Sequence, residues 1–104
     1  MQQWVAKLPY HLQIRTLQYK HKFQRDFKAL PVDVQAAVRD AISDLLQYPI
    51  PASRRLHPLT GFKNPKVYTI DVFSNHSYKI SLELDGENAI LRRVATHKSI
   101  DSCP

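Results

Sequence analysis

Apolar and polar positions along this chain repeat with two different periods, and the switch between them divides the molecule. Residues 12–18, opening on Leu12-Gln13-Ile14-Arg15-Thr16, alternate and include β-branched positions, which predicts a first strand. Phe23, Phe27 and Leu30 then stand at i, i+4 and i+7, one face of a short helix over 19–30 that Pro31 stops. A second helix is predicted from Asp33. Val34, Ala37, Val38, Ala41, Ile42, Leu45 and Leu46 keep helical spacing until Pro49 and Pro51 end it. The stretch 49–66 carries four prolines and a glycine and reads as a loop without regular structure. Beyond it the period falls to two, predicting strands over 67–73, 76–84 and 88–96, with Asp85-Gly86 at a tight turn.

Short connections between the last three strands predict an antiparallel meander. The expected fold is therefore α+β: a small antiparallel sheet with a helical hairpin on one face, in the order β-α-α-β-β-β. One domain over 1–104 is expected, with residues 1–10 as an N-terminal extension. Strand parity turns His76, Tyr78, Ile80, Leu82 and Leu84 toward the helices, together with Ile70, Val72, Ile90 and Val94. The opposite, helix-free face is then expected to present Lys79, Arg93 and Asp71, beside Thr69, Ser81, Phe73 and Leu91. Arg92 falls on the inward parity, where its stem packs at the rim and its head reaches water.

Composition changes this picture mainly through charge. The chain of 104 residues has ordinary apolar and charged fractions, 43% and 23%, which argues against disorder. No apolar run is long enough for a membrane span, and residues 1–4 show no basic-then-apolar leader. Cys103 has no second cysteine to pair with, so a reducing cytoplasm is the expected home. Fifteen Lys and Arg against nine Asp and Glu leave a net charge of +6, suited to a polyanion or an acidic protein. A local excess runs from Arg54 to Lys79, where Arg54, Arg55, Lys63, Lys66 and Lys79 face the single acid Asp71, with His57 and His76 among them.

The segments Phe23-Gln-Arg-Asp-Phe-Lys-Ala-Leu-Pro31, Leu56-His-Pro-Leu-Thr-Gly61 and Leu91-Arg-Arg-Val-Ala-Thr-His97 resemble the RelE/ParE toxin superfamily. Val67-Tyr-Thr-Ile70 and Ser77-Tyr-Lys-Ile80 stand where that family carries paired Tyr-Arg-Ile strands, and the His-Pro-Leu-Thr-Gly and Thr-His pairs most resemble its YafQ branch. The resemblance spans about residues 12–98. It implies a bacterial, cytoplasmic toxin of a type II toxin–antitoxin pair that cleaves mRNA in the ribosomal A site. The partners it implies are a cognate antitoxin, the ribosome and mRNA, with operator DNA reached only through the antitoxin.

Metal-free RNA cleavage needs a base for the ribose 2′-hydroxyl, an acid for the leaving 5′-oxygen and cations around the phosphorane. Histidine titrates near neutrality and suits either proton-transfer role. By the resemblance, His57 and His97 are the candidate pair, with the order of base and acid open. Lys79 and Arg93 are the expected phosphate ligands, and Asp71 would orient a histidine or pair with Lys79. Arg54, Arg55, Lys63 and Lys98 are the candidates for steering the RNA backbone. His76 reads as structural from its inward parity, and His11 and His21 as surface or cap residues.

Neither a metal site nor a cofactor is expected, because Cys-x-x-Cys, His-Glu-x-x-His and Gly-rich phosphate loops are all missing. Two other functions stand beside the ribonuclease. ParE relatives poison DNA gyrase, and Thr69, standing where many relatives carry an arginine, speaks for that reading, whereas the two histidines speak for RNA cleavage. The third is a module that only binds antitoxin.

Overall fold

A short extended stretch, β1 (Thr16–Tyr19), leads directly into α1 (His21–Lys28), and α2 (Val32–Leu45) follows. These elements belong to a computed structural model that describes residues 12–104; the expected extension over 1–10 and His11 lie outside the described residues. Pro31 caps α2 and Asp33 sits in its first turn, where a carboxylate complements the positive end of the helix. After a 3-10 turn (Ala52–Arg54) the chain forms β2 (His57–Lys63), β3 (Lys66–Asp71), β4 (Tyr78–Asp85) and β5 (Asn88–Thr96), and closes with α3 (His97–Ser102). The sheet order is β1-β5-β4-β3-β2. The last four strands are antiparallel, as the meander requires, while β1 lies parallel to β5, so the sheet is mixed. The helical hairpin returns the chain across the sheet, which is the long crossover that parallel pairing needs.

One face of the sheet carries the main core. Ile70, Val72, Ile80, Leu82, Leu91 and Val94 pack there against Phe23, Val34, Val38, Ala41 and Leu45 of the hairpin. Each buried aliphatic side chain contributes on the order of 1.5–3 kcal/mol, so this layer holds the fold together. Tyr78, Ile80, Leu82 and Leu84 all join it, as the alternation predicts.

Three expectations are corrected. The proline-containing stretch 49–66 is not wholly irregular, because β2 forms within it. β2 is an edge strand with a register shift between Pro58 and Lys63, where a missing N–H and the positive φ of Gly61 (93°) are tolerated. In β5, Ser81 pairs with Arg93 but Leu82 pairs with Leu91, so Arg92 is an extra residue in a bulge. The bulge reverses the parity upstream of it. Ala89 and Leu91 therefore face the helices, Ile90 stands opposite Glu83, and Arg92 pairs with Glu83. Phe73 lies beyond the end of β3 and packs back on the core, with its ring 6.1 Å from that of Tyr78.

The second face is the larger correction. The polar positions Thr69, Asp71, Lys79 and Ser81 do point away from the hairpin, but that face is not open. They are only 0%, 2%, 6% and 0% exposed. Helix α3 lies against β4 and β5, capped by the Thr96 hydroxyl, which accepts from the Ser99 amide at 3.4 Å, and anchored by fully buried Ile100.

Candidate active site

Antiparallel order brings the start of β2, the end of β3, the start of β4 and the end of β5 to one end of the sheet. His57 stands opposite Thr69, Asp71 opposite Lys79, and Lys79 opposite Ala95, just before His97. The His97 amide donates to the Ser77 carbonyl at 2.9 Å, which holds the start of α3 beside the start of β4. Four of the five predicted catalytic residues, His57, Asp71, Lys79 and His97, thus gather at this end, although they come from different elements.

Two carboxylates organise the cluster. The buried Asp71 accepts a hydrogen bond from His76 Nδ1 at 2.6 Å, and Arg55 Nε lies 3.6 Å from the same oxygen. Arg55 Nη1 is 3.4 Å from His76 Nε2. On the other side Asp101 of α3 accepts from His97 Nε2 at 2.6 Å and pairs with the Lys79 ammonium at 3.6 Å. A buried ammonium without such a partner costs several kcal/mol, so Asp101 is what allows Lys79 to sit under α3. His57 Nδ1 donates to the Arg55 carbonyl at 2.5 Å, leaving Nε2 as its remaining polar atom.

This arrangement suits acid–base chemistry on an anion. Each of the three histidines has one ring nitrogen held by an oxygen, which orients the other. Among the described residues no three His, Cys, Asp or Glu side chains converge as metal ligands.

Arg93 stands apart from the cluster. Its guanidinium donates to both Asp26 oxygens of α1, at 2.9 and 3.1 Å, and to the Cys103 carbonyl at 3.2 Å. Asp26 also accepts the Val94 amide at 3.2 Å, so α1 closes the edge of β5 that β1 is too short to cover. Hydrogen bonding to Asp26 raises the Arg93 guanidinium above its ordinary range, against the opposing effect of burial. A cation raised in the fold stabilises it below its ordinary value and loses that contribution only as pH climbs through the raised one. The pair therefore persists until strong alkali.

The predicted RNA-steering residues also divide. Arg54 is a clamp: its Nε donates to Asp44 of α2 at 2.8 Å, and its Nη1 to the Val72 and Asp71 carbonyls at 2.9 and 3.3 Å. Arg55, the next residue, turns the opposite way into the cluster. Lys63 is exposed at the β2–β3 hairpin, and Lys98 is exposed on α3.

Sequence reasoning missed two members. His76 precedes β4 rather than lying in it, so strand parity does not apply, and its φ of 63° turns the ring toward Asp71. Asp101 shows in the sequence only through its i, i+4 spacing from His97, within a helix of six residues too short to reveal itself by periodicity.

No family model matches the sequence, and neither does any curated protein. Solved structures do match in fold. The chain is similar to the RelB–RelE antitoxin–toxin complex from Methanococcus jannaschii at 24% identity, covering 84% of this chain and 98% of that one with a TM-score of 0.61. It is similar to the toxin–antitoxin complex RelBE2 from Mycobacterium tuberculosis at 22%, covering 82% and 93% with a TM-score of 0.63. For the DinJ–YafQ complex from E. coli the values are 18% identity, 83% and 97% coverage, and a TM-score of 0.58. The fold is that of the RelE and YafQ toxins.

Proposed function

We propose that this protein is the toxin of a type II toxin–antitoxin pair and acts as a ribosome-dependent mRNA endoribonuclease. The observation that carries the reading is the gathering of His57, His97, Lys79 and Asp71 at one end of a RelE-like sheet, with Arg55 beside them. Cleavage would proceed without a metal. One imidazole takes the 2′-hydroxyl proton, the 2′-oxygen attacks phosphorus, and the 5′-oxygen leaves with a proton from an imidazolium. The products are a 2′,3′-cyclic phosphate and a 5′-hydroxyl. Lys79 lies within the charged cluster that would meet the phosphate, and exposed Lys63 and Lys98 add the long-range attraction of a cationic surface for RNA. Arg93, already held by Asp26, serves the fold in this reading. The cognate antitoxin is an acidic or amphipathic segment that folds on the same cationic end, and the site of action is the cytoplasm, where ribosomes are.

The test is expression with mapping of mRNA ends on ribosomes. New ends in translated messages, abolished in His57→Ala with His97→Ala, are the expected result. Unchanged toxicity and unchanged ends in the double variant overturn the histidine assignment. Intact messages with accumulated gyrase–DNA cleavage complexes replace the reading with gyrase poisoning, which the threonine at position 69 favours. The Thr69 Oγ1 and Ser81 Oγ hydroxyls lie buried and without a hydrogen-bond partner.

A further inference from the structure

Among the described residues, Arg55 and His76 are the two non-glycine residues with left-handed backbone, at φ 52° and 63°. Such a conformation costs on the order of 1 kcal/mol or more and persists only where the surroundings demand it. Both residues meet on one atom, the Oδ2 of buried Asp71. They reach it from separate segments, Arg55 from the end of the 3-10 turn and His76 from the loop between β3 and β4. The other two histidines are held differently. His97 and Asp101 form a half-exposed pair within one short helix, and His57 rests on a main-chain carbonyl.

We infer that His76 is the catalytic base of the proposed cleavage, with Asp71 and Arg55 as its positioning residues. The inference rests on the ribonuclease reading and names the group that reading left open. Asp71 accepts the Nδ1 proton and so selects the tautomer whose Nε2 carries a lone pair. The His76 side chain is 42% exposed, so this lone pair stands at the surface rather than in the core. Arg55 Nη1 donates toward it at 3.4 Å, a long contact that an incoming ribose hydroxyl can replace. The charged groups in contact with the ring are Asp71 from β3 and Arg55 preceding β2; Lys79 of β4 stands opposite Asp71 in the sheet and pairs with Asp101 of α3, which also holds His97.

Nε2 takes the proton of the ribose 2′-hydroxyl, the 2′-oxygen forms a bond to phosphorus, and the phosphorus–O5′ bond breaks. The 5′-oxygen takes a proton from a second imidazolium, His57 or His97, and His76 returns its proton to solvent. The substrate group is a ribose bearing a 2′-hydroxyl next to a phosphodiester, so a message with a 2′-deoxy residue at the cut position is not cleaved.

The experiment is single-turnover cleavage of a defined mRNA on programmed ribosomes by the full chain. His76→Gln keeps a donor for Asp71 but has no titrating nitrogen. We expect its rate to fall about 100-fold or more, with half-saturating ribosome concentration unchanged and the acidic limb of the pH–rate profile lost. His76→Gly suits the left-handed backbone, and added imidazole is expected to restore its rate at least partly. Asp71→Asn is expected to slow cleavage, as loss of the selected tautomer requires. A wild-type pH profile and rate in His76→Gln, or no imidazole rescue in His76→Gly, overturns the role of His76 while leaving the ribonuclease standing. Failure of the wild-type chain to cut overturns the ribonuclease reading itself.

Discussion

The two faces of the sheet are buried to a similar depth by opposite chemistry. Against the helical hairpin every covered position is apolar, from Ile70 and Ile80 to Leu82 and Leu91. On the opposite face, where α3 packs against β4 and β5, the buried positions are Thr69, Asp71, Lys79 and Ser81, with Val67, and Ile100 of α3, as the apolar contribution. Burial on the first face releases apolar surface from water and stabilises directly. On the second it strips water from two charges and two hydroxyls, which then depend on partners. Asp71 and Lys79 have theirs in His76, Arg55 and Asp101, whereas the Thr69 and Ser81 hydroxyls have none. A face built this way is costly to the fold, and such costs concentrate where chemistry is done.

The contrast is open to attack by mutation. The largest effect belongs to the hairpin face: Leu45→Ala is expected to lower unfolding stability by roughly 2–5 kcal/mol, read from urea denaturation at constant m-value. A loss below about 1 kcal/mol would mean that this layer does not dominate. Next comes the sheet edge. Asp26→Ala removes two charged hydrogen bonds from Arg93 and one from the Val94 amide, and a cost of roughly 1.5–3 kcal/mol is expected in the same assay. An effect near zero would release Arg93 from its structural role. The smallest effects belong to the polar face. Thr69→Val and Ser81→Ala remove unpartnered hydroxyls, so each is expected within about 0.5 kcal/mol of wild type or slightly more stable. A loss above roughly 1 kcal/mol in either would reveal a partner for that hydroxyl, such as a bound water.

What was legible in the sequence follows from range of interaction. The hairpin and the inward sides of β3 and β4 show in periodicity because each buries one face against a single layer, so Phe23, Val38, Ile70 and Ile80 fall in phase. β2 does not show, since an edge strand tolerates Pro58 and Gly61. The reversal at Arg92 does not show either, because one extra residue in a bulge leaves no local trace yet exchanges Ile90 for Leu91 in the core. At the candidate site, the family resemblance pointed to His57 and His97, and strand parity to Asp71 and Lys79. Pairing was another matter: Arg93 was expected beside them and instead holds Asp26, and Arg54 clamps α2 while its neighbour Arg55 enters the cluster.

The sequence by itself determined the two periods, the apolar layer they bury and the cationic character of the chain, because these depend on neighbours three or four positions away, or two. Only the tertiary structure decided that α3 packs against β4 and β5, that Asp101 neutralises Lys79, and that Arg55 and His76 converge on Asp71. Those are contacts between segments separated by sixteen residues or more, or by a left-handed turn, and they exist only once the sheet has set its register.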